Sequence, residues 1–126
     1  MKVMIVDDNA VVRQTISKLL ASPRVAIREC ASGEEALRAA LEFKPDWIIM
    51  DIQMPGLNGF EATEALLAKF PATRVVIVTA HDRQYMRDAA RAAGAVAYLC
   101  KENLIELRRI LSDGPGNSWA ISSPNP

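Results

Sequence analysis

Five residues able to do chemistry stand where apolar runs of this chain stop. Asp7 and Asp8 follow KVMIV, Asp51 follows WIIM, Thr79 ends RVVIVT, and Lys101 follows VAYLC. A carboxylate at the end of a core strand is costly unless something compensates it. Two carboxylates about 4 Å apart repel by roughly 4 kcal/mol at an effective dielectric near 20. Three brought together therefore require a cation, a shared proton, or both. The set holds hard oxygen donors and neither His nor Cys, which favours Mg²⁺ or Ca²⁺ over zinc. Mg²⁺ commonly binds one or two carboxylates together with a phosphate, so this combination suits phosphoryl chemistry.

Such residues act together only if the elements between them bring the strand ends to one edge. The strands expected are Lys2 to Val6, Val25 to Cys30, the run into Asp51, Arg74 to Thr79, and Val96 to Cys100. Amphipathic segments alternate with them. Asn9 to Leu20 carries Val12, Ile16, Leu19 and Leu20 at helical spacing, with Asp8 or Asn9 as its cap. Ser32 with Glu35 forms a capping box before a stripe of Ala36, Leu37, Ala40 and Leu41. Asn58 with Glu61 caps a helix that runs to about Phe70, and Pro71 ends it. Asp82 to Ala93 reads as helix, stopped by Gly94. Asn103 with Glu106 caps the last helix, which turns Leu104, Leu107 and Leu111 inward. The pattern is strand then helix, five times. Continuous apolar strands of this kind are buried on both faces, which implies an α/β fold with a doubly wound parallel sheet. In such sheets ligands bind at the carboxyl ends of the strands, where the five residues stand.

The motifs resemble the receiver domain of two-component response regulators over Lys2 to about Leu111. VDD at Val6, Asp7 and Asp8 is similar to that family's acidic pair. D-x-x-x-P-G from Asp51 through Pro55 and Gly56 is similar to its phosphoacceptor loop. VTA at Val78, Thr79 and Ala80 resembles its switch segment, and AYLCK ending at Lys101 its aromatic-plus-lysine strand. The resemblance implies a flavodoxin-like, five-stranded sheet of order 2-1-3-4-5 with five helices. It implies that Asp51 is the phosphoacceptor, fed by a histidine kinase or phosphotransfer protein. Mg²⁺ would be held by Asp8 and Asp51, by Asp7 through water, and by the backbone carbonyl of Gln53. Thr79 and Lys101 would bind phosphoryl oxygens, and Tyr98 would be the rotameric switch. Physical chemistry agrees on these roles. A carboxylate can take a phosphoryl group as an acyl phosphate, and the transfer needs mainly positioning and charge neutralisation. The added charge can pull Thr79 inward and vacate a space that admits Tyr98. The readout face, and a homodimer contact, are expected along the fourth helix, fifth strand and fifth helix, with Arg83, Arg87 and Arg108. Gln53 and His81 each lie two residues past a site residue, where an amide and an imidazole can orient water and tune dephosphorylation.

Taken singly, each residue has a plainer reading: a strand-end Asp caps a helix, Lys101 is a solvated lysine, Tyr98 packs, and His81 is an exposed loop residue. Three other functions compete. A receiver that no longer accepts phosphate would serve as a docking module. A haloacid-dehalogenase-like phosphatase would need a general acid two residues past Asp51, where Gln53 stands. A nucleotide or flavin module would need a glycine-rich turn where Asp7 and Asp8 stand. Glu102 follows Lys101 where many receivers have Pro, a feature similar to receivers that precede LuxR-type helix-turn-helix domains. The chain has 126 residues, and its 15 basic and 15 acidic residues cancel. It offers no basic stripe, so direct nucleic-acid binding is not expected. No window approaches a membrane span, and VMIV is too short for a signal segment. Cys30 and Cys100 read as reduced core thiols, and the expected compartment is cytoplasmic. Residues 1–111 are expected to form the receiver domain. Residues 112–126, rich in Gly, Pro and Ser, read as a linker or disordered tail.

Overall fold

The computed structural model describes residues 1–116. Among them, five strands alternate with five helices: β1 (Lys2–Val6), α1 (Ala10–Leu20), β2 (Ala26–Cys30), α2 (Gly33–Phe43), β3 (Trp47–Asp51), α3 (Gly59–Lys69), β4 (Arg74–Thr79), α4 (Gln84–Ala93), β5 (Ala97–Cys100) and α5 (Glu106–Asp113). A 3-10 turn, Lys101–Asn103, links β5 to α5. Every strand pair is parallel, and the order is β2-β1-β3-β4-β5.

The alternation of side chains along each strand divides the core in two. Val3, Ile5, Trp47, Ile49, Val76, Val78, Ala97 and Leu99 face α1 and α5, packing on Ile16, Leu20, Leu107 and Ile110. Met4, Val6, Ile48, Met50, Val75, Ile77 and Tyr98 face α2, α3 and α4, packing on Ala36, Ala40, Ala62, Leu66, Met86 and Ala90. Both faces are covered, which is why these strands read as unbroken apolar runs. β2 is the exception. It lies at an edge, and Ala26, Arg28 and Glu29 are exposed.

The helix starts show how far local chemistry carries. Asn9, not Asp8, caps α1, accepting the N–H groups of Val11 and Val12. Ser32 caps α2 through the Glu35 N–H, while the Glu35 carboxylate reaches back to the Ala31 N–H. Asn58 and Glu61 form the full reciprocal box. Three expectations are corrected. Leu41 is exposed, and Ala39 and Phe43 complete the buried side of α2 instead. Asn103 caps nothing: Leu104 and Ile105 already have helical dihedrals, so no extended residue precedes α5, and the Glu106 carboxylate pairs with Arg109. α4 begins at Gln84 rather than Asp82, because Arg83 is still extended and stands as the N-cap, with no side-chain cap bond.

Cys30 and Cys100 are both buried thiols, and burial pushes both up, Cys30 to about 11. α5 extends to Asp113, so Ser112 and Asp113 of the expected tail are helical, while residues 117–126 lie outside the described part. Among the described residues no helix is long and apolar enough to cross a membrane.

Candidate functional site at the carboxyl ends of the strands

Register brings the acidic residues together. Val6 pairs with Met50, so Asp7 and Asp51 are the next positions along adjacent strands. The Asp7 N–H still donates to Cys30, one step past the last β1–β2 pair. One oxygen each from Asp7, Asp8 and Asp51 lies within 4.8 Å of the others. Asp7 and Asp51 are only 2% and 5% exposed, while Asp8 is open to solvent. Lys101, at the end of β5, lays its Nζ 3.1 Å from Asp7 Oδ2 and 3.4 Å from Asp51 Oδ1. Thr79 is buried beside β5 at the end of β4, and its hydroxyl accepts the His81 N–H at 3.2 Å. The structure thus brings Asp7, Asp8, Asp51 and Lys101 into one cluster.

The electrostatics are unfinished. Burial pushes the Asp51 carboxyl up to about 6, and the neighbouring Asp7 charge adds to the rise against the pull of Lys101. Burial works against the Lys101 ammonium, but the Asp51 and Asp7 carboxylates outweigh it and raise its pKa. One ammonium therefore serves two buried carboxylates with a third beside them. At neutral pH Asp51 is still mainly ionised, and it is more basic than an ordinary carboxylate. Three hard oxygen donors with open access at Asp8 suit a small divalent cation that keeps several waters.

Several supports of this corner carry no motif that sequence reading would detect. A Cβ on Gly59 would lie 2.1 Å from the Asp51 carbonyl oxygen, so α3 can start against the strand end only with glycine there. The Gly59 N–H donates to the Ile52 carbonyl at 3.0 Å. Glu34, at the start of α2, accepts the Leu57 N–H and holds the far side of the same loop. Gly56 takes φ +77, the left-handed region that favours glycine. Arg13 of α1 donates to the Asp7 carbonyl at 2.6 Å and pairs with Glu29. The close approach of Gly59 to Asp51 is a matter of tertiary packing that no local pattern shows. Gln53 and His81 are exposed.

Tyr98 is fully buried, and its hydroxyl donates to the His81 carbonyl at 3.0 Å. Of the three arginines expected at a readout face, Arg83 and Arg108 are exposed. Arg87 is mostly buried and bound to Asp82.

Comparisons with known proteins agree with this arrangement. The family model for the response regulator receiver domain matches residues 3–112. The chain is 39% identical over 102 residues to "Response regulator GacA" of Pseudomonas syringae pv. syringae, covering 79% of this chain and 48% of that protein. It is 32% identical over 119 residues to "Transcriptional regulatory protein DegU" of Brevibacillus brevis, covering 90% and 50%. The chain spans about half the length of these curated relatives. Among solved structures, chemotaxis protein CheY4 of Vibrio cholerae superposes with a TM-score of 0.82 at 31% identity, covering 88% of this chain and 95% of that one. A LuxR-family response regulator from Aurantimonas sp. SI85-9A1 gives 0.82 at 33%, covering 88% and 81%. The receiver domain of the histidine kinase CKI1 from Arabidopsis thaliana, complexed with Mg²⁺, gives 0.79 at 29%, covering 89% and 90%. With nearly the whole described chain matched, this protein belongs to the response regulator receiver domain family.

Proposed function

We propose that this chain accepts a phosphoryl group on Asp51 from a histidine kinase or phosphotransfer protein and relays the change through α4, β5 and α5 to an output. The observation that carries this reading is the Lys101 ammonium shared between the buried Asp7 and Asp51 carboxylates, with Asp8 beside them. Asp7, Asp8 and Asp51, with the Gln53 carbonyl, would hold Mg²⁺, which supplies charge neutralisation for the incoming phosphoryl oxygens. An Asp51 oxygen attacks phosphorus as the bond to the donor imidazole nitrogen breaks, and the imidazole leaves with the electron pair. Lys101 and Thr79 bind phosphoryl oxygens. Gln53 and His81, both exposed, would set how water reaches the acyl phosphate. The protein thus takes part in its own phosphorylation and dephosphorylation without turning over a separate substrate. Residues 1–111 would act as the receiver, with α5 running on to Asp113. The setting is cytoplasmic, and pairing of two copies would use the α4–β5–α5 face.

The reading is tested by intact-mass measurement after incubation with Mg²⁺ and acetyl phosphate. The expected result is a gain of one phosphoryl group, absent with EDTA and absent in Asp51→Asn. No gain in the folded wild type, with acetyl phosphate or with a purified kinase, overturns it and leaves a docking module.

A further inference from the structure

Asp7 is held at every polar atom. Its N–H donates to the Cys30 carbonyl at 3.1 Å, and the Asn9 N–H donates to its Oδ1 at 2.8 Å. Lys101 pairs with its Oδ2. Its carbonyl oxygen accepts from Arg13 Nη1 at 2.6 Å, a short charge-assisted bond. That last contact bears on Asp8 more than on Asp7. The Asp7 carbonyl belongs to the peptide unit that leads into Asp8, and that unit is planar. Fixing the plane fixes the direction in which Asp8 leaves the strand end. Asp8 is exposed, yet one of its oxygens comes within 4.8 Å of oxygens of Asp7 and Asp51.

Arg13 is itself anchored. Its Nε donates to Glu29 Oε1 at 3.1 Å, and the two side chains are 17% and 35% exposed. Glu29 belongs to β2, opposite Ile5 of β1. Ser17, one turn further along α1, donates to Glu29 Oε2 at 3.5 Å. The guanidinium fork thus spans from the edge strand to the Asp7–Asp8 peptide. Glu29 answers its charge, so Arg13 holds the backbone without supplying the positive charge that the acidic cluster lacks.

We propose that Arg13 is a positioning residue for the metal site: anchored by Glu29, it fixes the Asp7–Asp8 peptide and thereby aims the Asp8 carboxylate at the cation. This deepens the phosphoacceptor reading and rests on its metal site. Charge and orientation predict opposite signs when Arg13 is lost. Removing a cation beside three carboxylates strengthens their attraction for Mg²⁺. Releasing the Asp8 peptide weakens Mg²⁺ binding, by about tenfold, the lower end for losing an outer support of a metal ligand. Orientation wins, because Glu29 already answers the guanidinium charge.

The test is a Mg²⁺ titration of the ¹⁵N-labelled full chain, wild type against Arg13→Met, followed by amide shifts. It is paired with ¹⁵N relaxation in EDTA. The Asp8 N–H lies in the same peptide plane as the Asp7 carbonyl, so its order parameter reads the contact directly. The expected result is a rigid Asp8 amide in the wild type that loosens in Arg13→Met, while the amides of Val3 to Val6 stay rigid. The dissociation constant for Mg²⁺ should rise about tenfold. Arg13→Lys keeps the charge and a donor but not the fork, so it should fall between the two. It decides by the same readouts if Arg13→Met does not fold. The role is overturned if the folded variant binds Mg²⁺ as tightly as the wild type, or more tightly. It is equally overturned if the Asp8 amide stays rigid, or if β1 loosens throughout, which would make Arg13 a support of the fold alone. A wild type that takes up no Mg²⁺ sinks the metal site of the acceptor reading, and this role with it.

Discussion

Two corners of the sheet's carboxyl edge each bury an aspartate against a cation, and they are finished differently. At the β1–β3 corner, two buried carboxylates share one lysine, and Asp51 is held up near 6. At the β4–α4 corner, one carboxylate meets one guanidinium through two hydrogen bonds. The second corner is closed, with charges balanced and donors matched in geometry. The first lacks a positive charge and stays open to solvent through Asp8. A buried charge that is completed within the chain serves structure. One that is left short of positive charge is built for a ligand, and a cation is the partner that would complete it.

The largest expected effect comes from making the open corner worse. Lys101→Met keeps the aliphatic stem but removes the ammonium shared by Asp7 and Asp51. At pH 7.5 with EDTA, unfolding stability should fall by about 3 to 5 kcal/mol, the range for stripping one partner from a buried pair. Mg²⁺ should return part of that loss in a urea titration. A loss below about 1 kcal/mol would mean the lysine is merely a surface group and the contrast between the corners is false.

The sequence exposed these corners unequally. Asp7, Asp51, Thr79 and Lys101 were legible because an apolar run that stops at a polar residue marks a strand end, and parallel strands align their ends. The sheet was legible for the same reason, since covering both faces leaves unbroken apolar strands. What failed depended on neighbours in space. Leu41 has helical spacing, but α2 turns it away from the sheet. Asn103 and Glu106 have capping-box spacing, yet the chain enters α5 already helical, so there is no extended residue to cap. Arg87 looked like a surface arginine because no local pattern shows that Asp82 and Tyr98 will surround it. Gly59 carries no sequence signal of its own; its closeness to the Asp51 carbonyl is what demands glycine there.

A second, smaller effect has the opposite sign. Burial raises Asp51 from an ordinary 3.8 to about 6, so the folded chain binds its proton more tightly than the unfolded chain does. Stability of the metal-free wild type should therefore decline as pH rises from about 4 to about 6 and level off above. A shift of this size corresponds to about 2 to 3 kcal/mol. Asp51→Asn carries no such proton, so it should exceed the wild type by that amount at pH 7.5 in EDTA and match it near pH 4. Denaturation at both pH values with and without Mg²⁺ checks this, because the cation should narrow the gap only at the higher pH. A variant no more stable than wild type at pH 7.5 would show that Lys101 already balances the site.

The smallest effect belongs to the closed corner. Asp82→Asn keeps the shape and one acceptor for Arg87 but removes the charge. Because both side chains retain some contact with water, the cost should be about 1 kcal/mol rather than the full value of a buried charged hydrogen bond. The loss should be nearly the same in EDTA and in Mg²⁺, since Mg²⁺ without a bound anion adds nothing that pulls on Thr79. It should shrink moderately in high salt, as expected for a partly covered pair. Thermal unfolding of the variant and wild type under these three conditions reads all of it. If Mg²⁺ alone erased the loss, the two corners would be one electrostatic unit, and the completed pair would have to be counted as part of the open site.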